Sequence, residues 1–191
     1  MRAIGIPHSA RASRIAGRIL LAAALAAAAA LPAAGPAQAQ RTTASRVDAF
    51  KDWSVFTAEQ NGPVCWIVSQ PQSSKATRGG KPVKVRRGDI YLMVSVRPRQ
   101  GVAGEASVVS GYPYKKGSSV KVSVGGKKFD FYTEGENAWP SPDDDASLIA
   151  AMKKGTVAVV TGVSGRGTVT TDRFSLLGFT AALDSALSRC K

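Results

Sequence analysis

The sequence predicts an all-β protein: mainly an antiparallel β-sandwich or open barrel of about eight strands, with two short helices. One helix precedes the penultimate strand and the other lies at the C-terminus. Three observations carry this expectation. From Phe50 onward, short runs rich in Val, Ile, Thr and aromatic residues recur every 8–15 residues between Gly- and Pro-containing turns. Gly125-Gly126 separates two segments of alternating apolar and polar residues, the pattern of a tight hairpin. No strand–helix–strand alternation occurs, so a parallel sheet is not expected.

Taken in order, Trp53–Ala58 reads as a strand, Asn61-Gly62-Pro63 as a turn, and Val64–Ser69 as a second strand. Pro71 to Gly88 is polar and basic and reads as a long connection, with one edge strand near Val83–Val85. Ile90–Val96 is a strand stopped by Pro98, and Glu105–Ser110 is another, broken by Gly111-Tyr112-Pro113. Val120–Val124 and Lys127–Thr133 form the Gly-Gly hairpin, and Glu134–Pro140 reads as loop. Ser141 as cap, Pro142 in the first turn and Asp143–Asp145 at the positive end of the dipole predict a helix start. That helix would bury Leu148, Ile149 and Met152 and stop at Gly155. Thr156–Thr161 and Thr168–Phe174 are strands around the Gly-rich turn Gly162–Gly167. Phe179, Leu183, Leu187 and Cys190 share one face of a final helix.

Residues 1–39 have the layout of a secretory signal. Arg2, Arg11, Arg14 and Arg18 precede an apolar run of 13 residues, Ile19–Leu31, and Ala37-Gln38-Ala39 supplies an A-x-A site. Spanning a bilayer takes about 20 apolar residues, so the run is too short for an anchor. Cleavage is expected between Ala39 and Gln40. It leaves 152 of the 191 residues, a flexible polar tail over 40–49 and one β-rich domain over 50–191. The protein is thus expected in the periplasm, on the outer surface or secreted. Four arginines and no acid leave with the signal, so the formal charge falls from +13 to +9.

The sole histidine, His8, lies in the segment removed. The exported chain therefore lacks the usual imidazole base, and two cysteines cannot make a four-thiolate metal site. In an oxidising compartment Cys65 and Cys190 are most simply one disulfide, tying the last helix to the sheet. No pattern marks a catalytic, metal or cofactor site, and no small-molecule cofactor is expected. Lys81, Lys84, Arg86, Arg87, Arg97 and Arg99 belong to a basic stretch interrupted only by Asp89, a candidate surface for an anionic partner. That partner would be a protein or an anionic envelope or membrane surface. Nucleic acid does not fit the compartment, nor are there interleaved aromatics to stack bases.

Other motifs read more plainly. Arg87-Gly88-Asp89 matches an adhesion tripeptide, yet Gly88-Asp89 also suits a turn before the Ile90 strand. Gly162–Gly167 joins two strands, without the helix N-terminus that phosphate loops use. The acids Asp143–Asp145 are accounted for by helix capping.

Four blocks carry a family resemblance: Asp52-Trp53-Ser54-Val55, Cys65-Trp66-Ile67, Met152-Lys153-Lys154-Gly155, and Phe174-Ser175-Leu176-Leu177-Gly178-Phe179-Thr180-Ala181-Ala182-Leu183. Through them the chain resembles the invasion associated locus B family of exported bacterial proteins, from Phe50 to Leu187. The resemblance implies a non-enzymatic exported protein with no catalytic residues to transfer. Members implicated in host-cell invasion give the family its name, so a role in host-cell interaction is implied. Family members often carry further cysteines, and here Phe56-Thr57 and Glu134–Trp139 have none, so the resemblance does not dictate the disulfide pairing.

Overall fold

A computed structural model describes residues 43–191. The expected export signal and its expected cleavage between Ala39 and Gln40 fall outside the described residues. Twelve strands form one antiparallel sheet: β1 Ser45–Phe50, β2 Trp53–Glu59, β3 Pro63–Ser69, β4 Ser73–Arg78, β5 Lys81–Pro82, β6 Tyr91–Arg97, β7 Val102–Val109, β8 Val120–Val124, β9 Lys127–Glu134, β10 Asn137–Pro140, β11 Val157–Val163 and β12 Val169–Ser175. Helix α1 spans Asp145–Lys154, before β11, and α2 spans Phe179–Arg189. Among the described residues, no helix is long and apolar enough to cross a membrane.

The spatial order is β1-β2-β3-β6-β7-β10-β9-β8-β11-β12-β4-β5. β3 and β4 stand far apart in that order, yet only Gln70, Pro71 and Gln72 join them. Three linking residues reach at most about 14 Å. The sheet must therefore coil until its two ends meet, and the Trp53 indole N–H, on β2, donates to the Ser175 carbonyl on β12 at 3.0 Å. One coiled open sheet replaces the two-sheet sandwich as the source of the core.

Twelve strands, rather than about eight, is a correction with a local cause. The unforeseen strands are β1, β4 and β10, and β5 is the expected edge strand displaced toward the N-terminus. β1, expected as tail, and β4 and β5, expected as connection, are polar and largely exposed, so they lack the alternation that marks a half-buried strand. Pairing holds them in place: β1 against β2, β4 against β12 with Thr170 opposite Ala76, and β5 against β4. The edge strand falls at Lys81–Pro82, just before the expected Val83–Val85. β10, expected as loop, has four residues and ends in Pro140, but it pairs with both β7 and β9.

The expected hairpin of β8 and β9 is present. Gly125 and Gly126 have φ of 55° and 83°, the double left-handed conformation of the tight turn that matches strand twist. Alternation then sends Val120, Val122 and Val124 inward opposite Phe129 and Phe131. α1 contributes Leu148 and Met152 to the core, whereas Ile149 is only partly buried. Ser141 makes no side-chain cap: Pro142–Asp144 forms a 3-10 turn and Asp145 opens the helix.

α2 seals the inner face of β2 and β3. Cys190 at its end is bonded to Cys65, with Cα atoms 5.9 Å apart. Phe179 meets Trp53 edge to face at a centroid distance of 5.0 Å. Gly178 makes that turn with φ 89°, and a Cβ there would stand 2.0 Å from the Phe50 carbonyl oxygen. The Trp block and the terminal block of the family resemblance are thus one packing unit, in which Phe174, Leu176, Phe179 and Leu183 are all buried.

Candidate functional site

The site begins with the register of β12. Residues two apart share a face, so Thr168, Thr170 and Asp172 point the same way as the core residue Phe174. The inner wall thereby changes from apolar to polar, with all three polar residues at 3% exposure or less. A buried carboxylate is stable only with a partner. Arg87, in the segment after β5, supplies it: Nη1 and Nη2 donate to Asp172 Oδ1 and Oδ2 at 2.7 and 2.8 Å. Arg87 Nε donates to the Ser110 carbonyl at 2.9 Å, and its guanidinium lies 4.9 Å from the Tyr112 ring centroid.

Two glycines permit this meeting. Gly88 N–H donates to the Gly111 carbonyl at 2.9 Å, and a Cβ on Gly111, φ 68°, would stand 2.5 Å from the Gly88 oxygen. The close crossing sets Arg87 beside Tyr112, each the chain neighbour of one of these glycines. Tyr112 and Thr170 hydroxyls share a 2.6 Å hydrogen bond. Burial pushes the Tyr112 phenol above its ordinary range, so it stays protonated.

Above this wall lies a cleft of about 500 Å³. Arg78, Lys84, Arg86, Arg87 and Arg166 line it with Tyr112, Ser164, Thr168 and Thr170, and among the described residues no carboxylate or amide side chain does. Arg78 donates from Nε and Nη2 to Thr168 Oγ1 at 3.1 and 2.7 Å. Ser164 and Arg166 come from the turn between β11 and β12, where Ser164 Oγ accepts the Thr168 N–H at 3.2 Å.

The structure divides the basic residues singled out in the sequence. Lys84, Arg86 and Arg87 reach the cleft; Lys81 is exposed on β5 and does not line it. Arg97 and Arg99 line a separate hollow with Asn61 and Gln100. There Arg97 pairs with Glu105 at 2.8 Å, and Arg99 donates to the Asn61 carbonyl at 2.9 Å. Arg87 is not free surface, because its side chain is 8% exposed. The Arg87-Gly88-Asp89 tripeptide therefore presents no accessible arginine. Sequence reasoning gave no site role to Tyr112, Thr168, Thr170 or Asp172, and read Ser164 and Arg166 only as part of the Gly-rich turn Gly162–Gly167. The alternation of Thr168–Phe174 held the missing signal, since it places an acid on a core-facing register.

A second groove, of about 660 Å³, lies against α1, β7 and the β9–β10 hairpin. Stacked Tyr132 and Trp139, with centroids 5.7 Å apart, line it together with Glu105 and Asp145. Asp145 Oδ1 accepts the Ala106 N–H at 3.0 Å. Burial raises the Asp145 carboxyl above the ordinary range, partly opposed by that hydrogen bond and reinforced by Glu105 and Asp144. Among the described residues, no group of three or more His, Cys, Asp or Glu is gathered to hold a metal.

The fold and sequence have known counterparts. The crystal structure of invasion associated protein b from Bartonella henselae superposes with a TM-score of 0.52 at 16% identity, covering 76% of this chain and 98% of that one. At that identity the likeness speaks to the fold. No curated protein sequence matches. The model of the invasion associated locus B (IalB) protein family matches residues 53–187, which takes in every strand from β2 to β12, both helices' packing faces and the whole basic cleft. The chain belongs to the invasion associated locus B family.

Proposed function

We propose that the protein is an exported, non-enzymatic binding protein that takes an anionic partner into the basic cleft, in the periplasm or at the cell surface. One observation carries this reading. Arg78, Lys84, Arg86 and Arg166 line a concave site and have no carboxylate within ion-pair distance among the described residues. Such an unneutralised concave cluster focuses positive potential and attracts anions. The signal-like residues 1–39 and the Cys65–Cys190 bond suit an oxidising compartment outside the cytoplasm. Family membership, and a neighbour described as an invasion associated protein, support a role in contact with host cells.

A lipid-surface reading is favoured by the exposure of Lys81, Lys84 and Arg86 in one segment. A carboxylate enzyme would use the α1 groove, but Arg97 already engages Glu105 and the Ala106 N–H engages Asp145. The test compares retention on an immobilised sulfated polysaccharide and sedimentation with anionic and neutral vesicles. Arg86→Glu/Arg166→Glu should abolish binding, while Arg97→Glu/Arg99→Glu, with the same change in net charge, should leave most of it. Equal losses from the two variants would reduce the cleft to general surface charge. Retention should also fall steeply between low and physiological salt.

A further inference from the structure

We infer that the cleft is built to receive a tetrahedral oxyanion end on: the phosphate-monoester or sulfate-ester group of a soluble, sugar-sized molecule. This rests on the binding reading above and names the group bound.

The argument starts from hydrogen-bond stoichiometry. A hydroxyl offers one hydrogen and two lone pairs. Ser164 Oγ is engaged as an acceptor of the Thr168 N–H, and Thr168 Oγ1 as an acceptor of both Arg78 bonds. The bond between Tyr112 and Thr170 spends one of that pair's two hydroxyl hydrogens. Three hydroxyl hydrogens at the cleft wall are therefore left to give. They come from groups that are largely buried: Ser164 is 9% exposed, Thr168 and Thr170 3% each. Around them stand the guanidiniums of Arg86 and Arg166 and the Lys84 ammonium, none with a side-chain hydrogen bond or ion pair among the described residues. The side chains thus offer many donors and no carboxylate or amide oxygen to compete for them.

A ligand that satisfies this wall must be anionic and offer three acceptor oxygens to its donors, as a phosphate monoester or a sulfate ester does. A carboxylate brings two oxygens and one charge. A phosphate monoester brings three terminal oxygens and a charge of about −1.5 to −2 near neutrality. Guanidinium forks match that geometry through paired N–H donors. Arg87 is held out of the contest by Asp172, so its part is to fix Tyr112 and the wall, leaving Arg86 and Arg166 to meet the anion. Concavity favours a headgroup inserted end on over a flat membrane, and about 500 Å³ suits a sugar-sized molecule better than a polymer.

The experiment is calorimetric titration of the purified exported protein with inorganic phosphate, sulfate and glucose 6-phosphate, at constant ionic strength set by chloride. Vesicles containing phosphatidic acid form a parallel arm. Phosphate and glucose 6-phosphate should bind several-fold more tightly at pH 8 than at pH 5, because both pass from monoanion to dianion over that range, the monoester with a second pKa of about 6. Sulfate, dianionic throughout, should change little. Arg86→Gln/Arg166→Gln should weaken all three by tenfold or more, Thr168→Val should weaken them less, with Thr168→Ser restoring wild-type affinity, and Arg97→Gln/Arg99→Gln should change nothing. Sulfated-polysaccharide retention that depends on the cleft, without measurable phosphate or sulfate binding, would overturn the oxyanion site while leaving the anionic-partner reading intact. Binding to phosphatidic acid vesicles alone would overturn end-on entry. Loss of every interaction would sink both.

Discussion

Arg87 and Asp172 are joined by two parallel hydrogen bonds of 2.7 and 2.8 Å across 85 residues of chain, with side chains 8% and 3% exposed. The pair ties the segment after β5 to β12 and stands where the apolar core gives way to the polar wall of the cleft. Its position lets a basic residue be structural while its neighbour Arg86 remains exposed.

Removing one member should cost far more than an exposed ion pair would. Asp172→Asn leaves the Arg87 guanidinium buried without its counter-charge, and losses of about 3–5 kcal/mol are typical of that arrangement. Arg87→Met/Asp172→Leu, which removes both charges, should recover most of the loss. Denaturant melts of the two variants check this; an Asp172→Asn protein as stable as wild type would show that the pair is not buried as described.

Much of this architecture is legible in the sequence because its cause is local. The β8–β9 hairpin follows from Gly125-Gly126, and α2 follows from Phe179 and Leu183 on one helical face. Other elements have non-local causes. β4 is a strand because β12 offers it a ladder, and its own sequence, Ser73–Arg78, has no apolar face. The cleft is harder still, since Arg78, Arg86, Tyr112 and Arg166 come from four separate segments. A linear cluster of arginines shows charge density; it does not show that Arg87 turns inward while Arg97 and Arg99 serve another hollow.

Phe179→Ala should lower stability by about 3–5 kcal/mol, the usual cost of truncating a fully buried aromatic residue. Phe179 is 1% exposed and packs edge to face on Trp53, so its loss opens space between α2 and β2. A variant with unchanged melting would contradict that packing.

Cys65→Ser/Cys190→Ser should cost about 2–5 kcal/mol, since the cross-link joins residues 125 apart and constrains the unfolded chain. Phe179, Leu183 and Ala186 still dock α2, so the fold should persist. A reducing agent should lower the wild-type melting temperature to that of the double variant and leave the variant unmoved. A wild type indifferent to reduction would mean that the cross-link contributes nothing.

Asp145 yields a prediction whose sign depends on pH. Burial raises its folded-state pKa above the unfolded value of 3.8, so the folded protein holds this proton more tightly. Below both values the group is protonated in either state, and its favourable contribution is fully present. As pH rises through the unfolded and then the folded pKa, the unfolded chain gains more from ionisation, and that contribution is lost. At neutral pH the Asp145 charge therefore works against folding, in a groove where Glu105 and Asp144 add repulsion. Asparagine keeps an oxygen at Oδ1 to accept the Ala106 N–H while removing the charge. Asp145→Asn should be at least as stable as wild type at pH 7, with its advantage shrinking as pH falls toward 3. Paired melts at pH 7, 5 and 3 decide this. An Asn variant that is weaker at pH 7 and relatively stronger at pH 3 would show that the ionised carboxylate is itself needed to hold α1 against β7.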